Sequence, residues 1–409
     1  MFQIGISPLT IPTFLLFSPL PTPLLNLTCS AHQLSLLESP QMNSFAPFNR
    51  RQFLSSASRF SALYALAGSL PLPAFASAIA DDPRVSQTPI ADAGFASVRK
   101  IGDGLYATIS DTSKGFTTIC NGGFLIGKDA GLLLEAYGSA PGAAFQMDAY
   151  HKVTQIPAPN ALLTHYHFDH SMGSSFYGAN GIQLWAHSAV PKRINDSYVS
   201  LQGADRAAVL APIEKRIKDA KTDAARQHAQ GDLGAVGNVF DLANKTPLAF
   251  PNKPIDPAKL PMNLDLGHFP IVIEHYPGHS GTDLIVRVPD QKVVYSGDLV
   301  FNHAYPACFD EKCTMSGWRN TLKTFASWDK DTLFVPGHGP VCGQEGIQSL
   351  RDLFDDLGMQ AEKMHKAGVP LSDATDQYVI PDKFKTFPVF AWGFCIAGAI
   401  SKLYAEMGA

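Results

Sequence analysis

Apolar and polar positions alternate over short distances along most of the chain after Val98. Apolar runs rich in Val, Ile and Leu are separated by turns that contain Gly, Asn or Asp, a pattern typical of short β-strands. The predicted strands fall at residues 104–110, 116–127, 130–136, 160–164, 182–186, 270–276, 283–290, 292–300 and 332–335. The sequence therefore predicts many short strands rather than a few long ones.

Helical periodicity appears between some of these strands, at residues 141–153 and 348–366. Strands that alternate with helices favour an α/β architecture. Residues 191–261 differ, because a charged, Ala-rich helical stretch is followed there by a Pro-, Asn- and Lys-rich connection. We interpret this segment as a helical insertion. It either forms solvated surface helices or covers the active site and helps to select substrates.

The composition is that of a soluble protein with a sizeable core. The chain has 409 residues, 45% hydrophobic and 17% charged, with a formal net charge of -4. No basic cluster indicates nucleic-acid binding. The six cysteines form no CxxC pair, which argues against a zinc finger or a disulfide scaffold. Cys308 and Cys313 are close enough in sequence to pair, and two buried thiols are an equally good interpretation.

The first 80 residues are predicted to be a leader. Residues 49–54 (NRRQFL) resemble a twin-arginine export signal, and an apolar stretch and small residues in A-x-A form follow by residue 80. This predicts use of the twin-arginine export machinery, a periplasmic or secreted protein, and no stable membrane anchor after signal removal. Residues 1–41 fit no targeting signal, so we hypothesise that translation starts at Met42, that residues 42–80 are the signal, and that residues 81–409 form the folded domain.

The strongest chemical motif is the run His165, His167, Asp169, His170. In an extended chain the first two side chains point to the same side, so both imidazoles can bind one metal ion. If the chain turns directly afterwards, Asp169 and His170 can reach a second ion. Histidine nitrogen and carboxylate oxygen suit zinc, with iron or manganese as alternatives.

Three further segments follow the same design, in which a strand ends, a glycine follows, and a ligand-capable side chain comes next. They place His279 in PGHS, Asp298 in SGD and His338 in PGHG. Strand ends that meet at one edge of a sheet are where α/β proteins place their chemistry.

This series of motifs resembles the metallo-β-lactamase superfamily, over residues 98–343. The resemblance implies a four-layer αββα sandwich with two zinc ions at one edge. It implies that His165, His167 and His279 hold one ion, that Asp169, His170 and His338 hold the other, and that Asp298 bridges them. Residues 278–301 and 314–325 look closest to an exported subgroup associated with quinoprotein systems.

The resemblance implies a dinuclear-zinc hydrolase of a small molecule, in which a hydroxide bridging the ions cleaves an ester, lactone or amide-type bond. Asp169 would also be catalytic, by orienting the nucleophile or passing a proton. β-Lactam hydrolysis is one alternative, although zinc β-lactamases lack the Asp found here at 298. A glyoxalase II-like thioesterase would need a basic cluster that we do not find after His338. A mononuclear iron persulfide dioxygenase would use His165, His279 and Asp298, and a non-catalytic binding protein would require no reaction at all.

Glu135 stands at the end of a predicted strand where the superfamily usually has Asp, and we expect it to support a ligand from outside the metal centre. Four other histidines match no ligand position and are interpreted as ordinary polar residues: His187, His268, His275 and His303.

Overall fold

The computed structural model describes residues 82–408. The leader predicted over residues 1–80 lies outside this range. Within residues 82–408, no helix combines the length and the apolar character that a bilayer crossing requires.

The first sheet contains eight strands, which lie in chain order. They are β1 (Ala91–Asp92), β2 (Ala96–Gly102), β3 (Leu105–Ser110), β4 (Gly122–Ile126), β5 (Gly131–Leu134), β6 (Asn160–Leu162), β7 (Gln183–His187) and β8 (Lys253–Ile255). Strands β1 to β5 are antiparallel, and β5 to β8 pair in parallel. Parallel neighbours need a crossover connection, and helices supply these connections between β5 and β8.

The second sheet contains five strands in the order β13-β12-β11-β10-β9. They are β9 (Met262–Asp265), β10 (Pro270–His275), β11 (Leu284–Val288), β12 (Val293–Phe301) and β13 (Leu333–His338). Only β12 and β13 pair in parallel. Strand β12 is buried along its whole length, which explains its nearly continuous apolar sequence.

Ten α-helices accompany the sheets in the described part of the chain. They are α1 (Ala140–Val153), α2 (Phe168–Ser171), α3 (Ser174–Ala179), α4 (Val190–Ser197), α5 (Arg206–Asp219), α6 (Asp223–Lys245), α7 (Met315–Ala326), α8 (Gln344–Lys366), α9 (Leu371–Gln377) and α10 (Ile396–Glu406). Ser139 caps the N-terminus of helix α1, and its hydroxyl accepts a hydrogen bond from the Gly142 N–H.

The sheets pack face to face, and helices cover both outer faces. Leu132 and Leu134 of β5 point into the core between the sheets, whereas Leu133 packs on the outer side with α1. In the same way, Val293 of β12 faces the inner core and Val294 faces α7 and α8. This alternation follows from the two-residue period of a strand. The predicted αββα sandwich is confirmed.

Three details differ from or extend the sequence-based predictions. The stretch predicted over residues 116–127, with an interruption at residues 121–123, forms a strand only from Gly122 to Ile126, because Ile119 adopts a left-handed φ of 72° and Asn121 bonds to the other sheet. Residues 191–261 contain α5 and α6, but they also contain β8, which extends the first sheet. Cys308 and Cys313 are both buried free thiols.

Candidate metal centre

The HxHxDH motif lies directly after β6, at one edge of the sandwich. His165 and His167 lie in the segment between β6 and α2, which bends at Thr164 and His165, and Asp169 and His170 lie in the single turn of α2. All four side chains are buried. The start of α2 brings Asp169 and His170 into the second set of potential ligands, although the rings of His165 and His170 stay close, with centroids 4.1 Å apart.

The second sheet brings the other three side chains to the same edge. His279 lies in the loop after β10, Asp298 is in β12, and His338 ends β13. Gly297, with φ of 49°, permits the close approach of β12 to β6, since a Cβ there would lie 2.5 Å from the Thr164 hydroxyl oxygen.

The two carboxylate oxygens of Asp298 face two different sets of imidazoles. Oδ2 lies 3.3 Å from His279 Nε2 and 3.8 Å from His165 Nε2. Oδ1 lies 3.0 Å from His170 Nε2 and 3.4 Å from His338 Nε2. One side chain therefore stands between two groups of nitrogen ligands and belongs to both.

The first group contains His165, His167, His279 and Asp298, and the second contains Asp169, His170, Asp298 and His338. Within each group the potential ligand atoms all lie within 4.8 Å of one another. In the first, His167 Nδ1 and His279 Nε2 are 2.8 Å apart. In the second, Asp169 Oδ2 is 3.0 Å from His338 Nε2.

The chemistry of these atoms fits divalent metal ions. Among residues 82–408, His165 Nε2, His170 Nε2 and Asp298 Oδ1 are buried and make no hydrogen bond of good geometry, although His170 Nε2 and Asp298 Oδ1 are only 3.0 Å apart. Buried polar atoms are almost always satisfied, so atoms of this kind that converge indicate a ligand. Imidazole and carboxylate donors suit zinc, iron or manganese.

The electrostatics of the two groups differ. Burial and neighbouring imidazoles lower the pKa of His279 to about 3. Burial also acts on His338, but the carboxylates of Asp298 and Asp169 outweigh it and raise the pKa of His338 to about 9. The second group thus concentrates negative charge that a cation can neutralise.

Glu135 supports the ligands from behind, as the sequence predicts. Its Oε1 accepts a hydrogen bond from the Thr164 hydroxyl at 2.6 Å and lies 3.1 Å from His170 Nδ1. The Thr164 hydroxyl is in turn 3.1 Å from His165 Nδ1. One carboxylate therefore orients an imidazole of each group, a role that fixes ligand geometry.

Asp310 supports His167, although nothing in the sequence pattern indicates this role. Its Oδ2 is 3.4 Å from His167 Nε2 and accepts hydrogen bonds from the Tyr166 hydroxyl at 2.5 Å and Arg193 Nη2 at 2.6 Å. Burial opposes ionisation of Asp310, but the hydrogen bonds from His167 and Tyr166 lower its pKa below the usual range. Because Nε2 of His167 faces Asp310, its Nδ1 faces the other potential ligands of the first group.

We expect Asp310→Asn to weaken metal binding by the first group by about 10- to 100-fold, because a weaker acceptor leaves the imidazole of His167 less well oriented. Metal binding by the second group should keep its affinity. Competition with a chelator, followed as two separate dissociation steps, measures both. Glu311→Gln is the matched control, since Glu311 also contacts Arg193 but is exposed. Equal weakening of both ions would contradict a role confined to His167.

Asn121 joins the two sheets beside His338. Its Nδ2 donates to the carbonyl oxygens of Pro336 at 3.0 Å and Gly339 at 2.7 Å, and its backbone N–H donates to Gly337 at 2.7 Å. The hydrogen bond from Ser110 N–H to Asn121 Oδ1, 3.0 Å long, anchors the side chain to the first sheet. The end of β13, which carries His338, is therefore held by a residue anchored to the first sheet.

The four remaining histidines of interest stay outside both groups, as expected: His187, His268, His275 and His303. The rings of His187 and His275 face each other with centroids 5.3 Å apart, and burial lowers both pKa values.

Residues 117–338, more than half of the chain, match the family described as the metallo-beta-lactamase superfamily. The chain belongs to the metallo-β-lactamase superfamily. The matched range includes all seven residues of the two groups. It ends at His338, so the last 71 residues (409 − 338) lie outside it.

Two solved structures are similar to this superfamily member in fold. One is the stereoselective inverting sec-alkylsulfatase Pisa1 from Pseudomonas sp., with a TM-score of 0.53 and 16% identity. The other is a double mutant of the sec-alkyl sulfatase PisA1, with a TM-score of 0.52 and 15% identity. In each case the similarity covers 76% of this chain and 50% of the other, so this chain spans about half their length. No curated protein matches the sequence.

A pocket opens beside the two groups. His167, Asp169, Asp298 and His338 line one side of it. Aromatic residues line much of the rest, and they are Phe168, Phe301, Tyr305, Phe309, Phe390 and Phe394. Phe390 and Phe394 lie beyond the part of the chain that matches the superfamily. No residue of 191–261 is among those that line this pocket in the described structure.

Proposed function

We propose that this chain is a dinuclear-zinc hydrolase that cleaves an ester, lactone or amide-type bond of a small molecule. The observation that carries the proposal is the position of Asp298, whose two oxygens face two separate groups of imidazoles. A carboxylate in that position suits two ions side by side better than it suits one. Membership of the superfamily supports a hydrolytic reaction.

In this proposal His165, His167 and His279 hold one ion, Asp169, His170 and His338 hold the other, and Asp298 contributes to both. Two divalent ions bound there would generate a nucleophile from water near neutral pH and neutralise charge that develops on the substrate. Glu135 and Asp310 contact the imidazoles of His170 and His167 from outside the two groups and keep them oriented.

Asp169 is the protein group proposed to move a proton. It lines the pocket, and its Oδ2 is 3.0 Å from His338 Nε2 and 3.5 Å from His170 Nε2. From there its carboxylate can orient the attacking water and pass the proton to the leaving group. No serine or cysteine nucleophile is required, and the thiols of the described residues are all buried.

The decisive experiment combines metal content with a substrate panel, using protein that starts near residue 79. We expect two zinc ions per chain, and hydrolysis that is lost on chelation and restored by zinc. The panel includes an ester, a lactone, a β-lactam, a glutathione thioester and a secondary alkyl sulfate, the last because both similar structures are alkyl sulfatases. One iron per chain with persulfide oxidation would instead favour the dioxygenase, and full metal without any reaction would favour a binding protein.

We also propose export through the twin-arginine machinery to the periplasm or beyond. The support is the twin-arginine segment at residues 49–54 and the small residues that end by residue 80. Arg50→Lys combined with Arg51→Lys should leave the precursor in the cytoplasm. Fractionation followed by immunoblotting measures this, and unchanged export of the double variant would contradict the proposal.

A further inference from the structure

We infer that the pocket selects an uncharged substrate that carries an aromatic or branched alkyl group next to the scissile bond. This inference rests on the proposed hydrolase function and narrows it to neutral esters and lactones. Substrates that carry a carboxylate, phosphate or sulfate on this group are disfavoured.

The first argument is the aromatic surface beside the two groups. The Phe309 ring stacks on His167, with centroids 4.8 Å apart and planes at 27°, and lies 4.6 Å from the Phe394 ring. Phe390 and Phe394 are stacked with centroids 6.2 Å apart. Phe309 keeps 37% of its surface exposed, which is unusual for so large an apolar side chain. Such a surface gains most free energy by covering an apolar group.

The second argument is charge. Among the described residues that line the pocket there is no Lys or Arg that could pair with an anionic group on the aromatic side. Arg193 does not line the pocket, because its guanidinium group contacts Asp310, Glu311 and the Tyr166 hydroxyl. An anionic group placed against the aromatic surface would lose its hydration without gaining a cationic partner.

The third argument is that this aromatic surface is held in place before the substrate binds. The His228 ring of α6 stacks on Trp392, with centroids 3.5 Å apart and planes at 5°. Asp232 of the same helix is buried and accepts a hydrogen bond from the Gly393 N–H at 2.7 Å. The helical insertion therefore fixes the segment between Phe390 and Phe394. Preorganisation of this kind reduces the entropy lost on binding.

The aromatic surface is formed partly by residues outside the range that matches the superfamily. The metal-centre residues all lie within the range that matches the superfamily, 117–338, whereas Phe390, Trp392 and Phe394 lie outside it. The segment that holds them from behind, α6, is part of the insertion. Substrate selection would thus depend on elements that are separate from the residues that perform the reaction.

The test uses two esters with the same scissile bond, 2-phenylethyl acetate and its analogue with a para carboxylate on the ring. For the zinc-loaded protein we expect kcat/KM to be at least about 10-fold higher for the neutral ester, mostly through KM, because the charged ring must be desolvated. Phe390→Arg should reverse or abolish this preference. Met359→Arg is the matched control, since Met359 is 64% exposed on α8 and should leave both values unchanged.

Equal kcat/KM for the two esters, or a folded Phe390→Arg variant with an unchanged preference, would overturn the inference. If neither ester is hydrolysed, the hydrolase proposal is in question, and binding tests the pocket separately. Calorimetry with 4-phenyl-2-butanone and its para-carboxylate analogue then decides. Binding of the neutral ketone alone supports the inference, whereas equal binding of both, or of neither, contradicts it.

Discussion

The Asp298→Asn variant is expected to lose at least one of the two ions and more than about 100-fold of kcat/KM, since losing groups that merely support a ligand already lowers affinity by about 10- to 100-fold. Both oxygens of Asp298 are engaged, one toward His279 and the other toward His170. An amide has nearly the same shape, but it carries no charge and offers only one oxygen. The carboxylate that serves both groups would therefore be removed with little change in packing.

Metal content by mass spectrometry and kcat/KM for the best panel substrate measure this effect. Asp290→Asn is the matched control, because Asp290 lies in the exposed turn just before β12 and undergoes the same chemical change. A folded Asp298→Asn protein that keeps two ions and full activity would show that the two groups do not share this side chain.

The Gly337→Ala variant is expected to lose metal and activity although it changes no ligand. A Cβ at position 337 would lie 1.9 Å from Asp298 Oδ1 and 2.9 Å from the Asp298 backbone nitrogen. Either the carboxylate or the β12–β13 pairing must move, so one oxygen leaves its place between His170 and His338. Overpacking of this kind destabilises a protein by about 1–3 kcal/mol. Metal content and the free energy of unfolding from denaturant titration measure the two effects.

Gly178→Ala provides the comparison for Gly337→Ala. Gly178 lies in α3, and a Cβ there would meet no atom within 4 Å. The same substitution should leave the metal content unchanged and raise the free energy of unfolding by up to about 1 kcal/mol, because alanine is the better helix former. Retention of both ions in Gly337→Ala would mean that β12 and β13 tolerate a wider separation.

The convergence of the seven candidate ligands could be predicted because the signals are local. His165 and His167 are two positions apart just before α2, and the turn of α2 brings Asp169 and His170 into the second group. The remaining three come after glycines at strand ends, so their place at one sheet edge follows from the strand pattern. Glu135 could be placed for the same reason, since it directly follows β5.

Asp310 could not be predicted in this way. It is 143 residues from His167 in the sequence, and only the folding of the loop before α7 brings the two together. Phe390 and Phe394 lie in a segment between helices that has neither strand nor helix periodicity. Residues 116–121 show the opposite error, because a strand-like composition is overridden there by the hydrogen bonds of Asn121 to the second sheet.

The bonds that Asn121 makes to the chain around His338 also bear on the order of folding. They close a separation of 215 residues between Asn121 and Pro336, and the Nδ2 donor and its acceptor come from opposite sheets. Contacts so distant in sequence form late, because their loop-closure entropy is offset only when much of the structure is already in place. The complete set of ligands therefore does not exist in a chain in which only one half has folded. For the metal ions proposed above, full occupancy would report that both halves have docked.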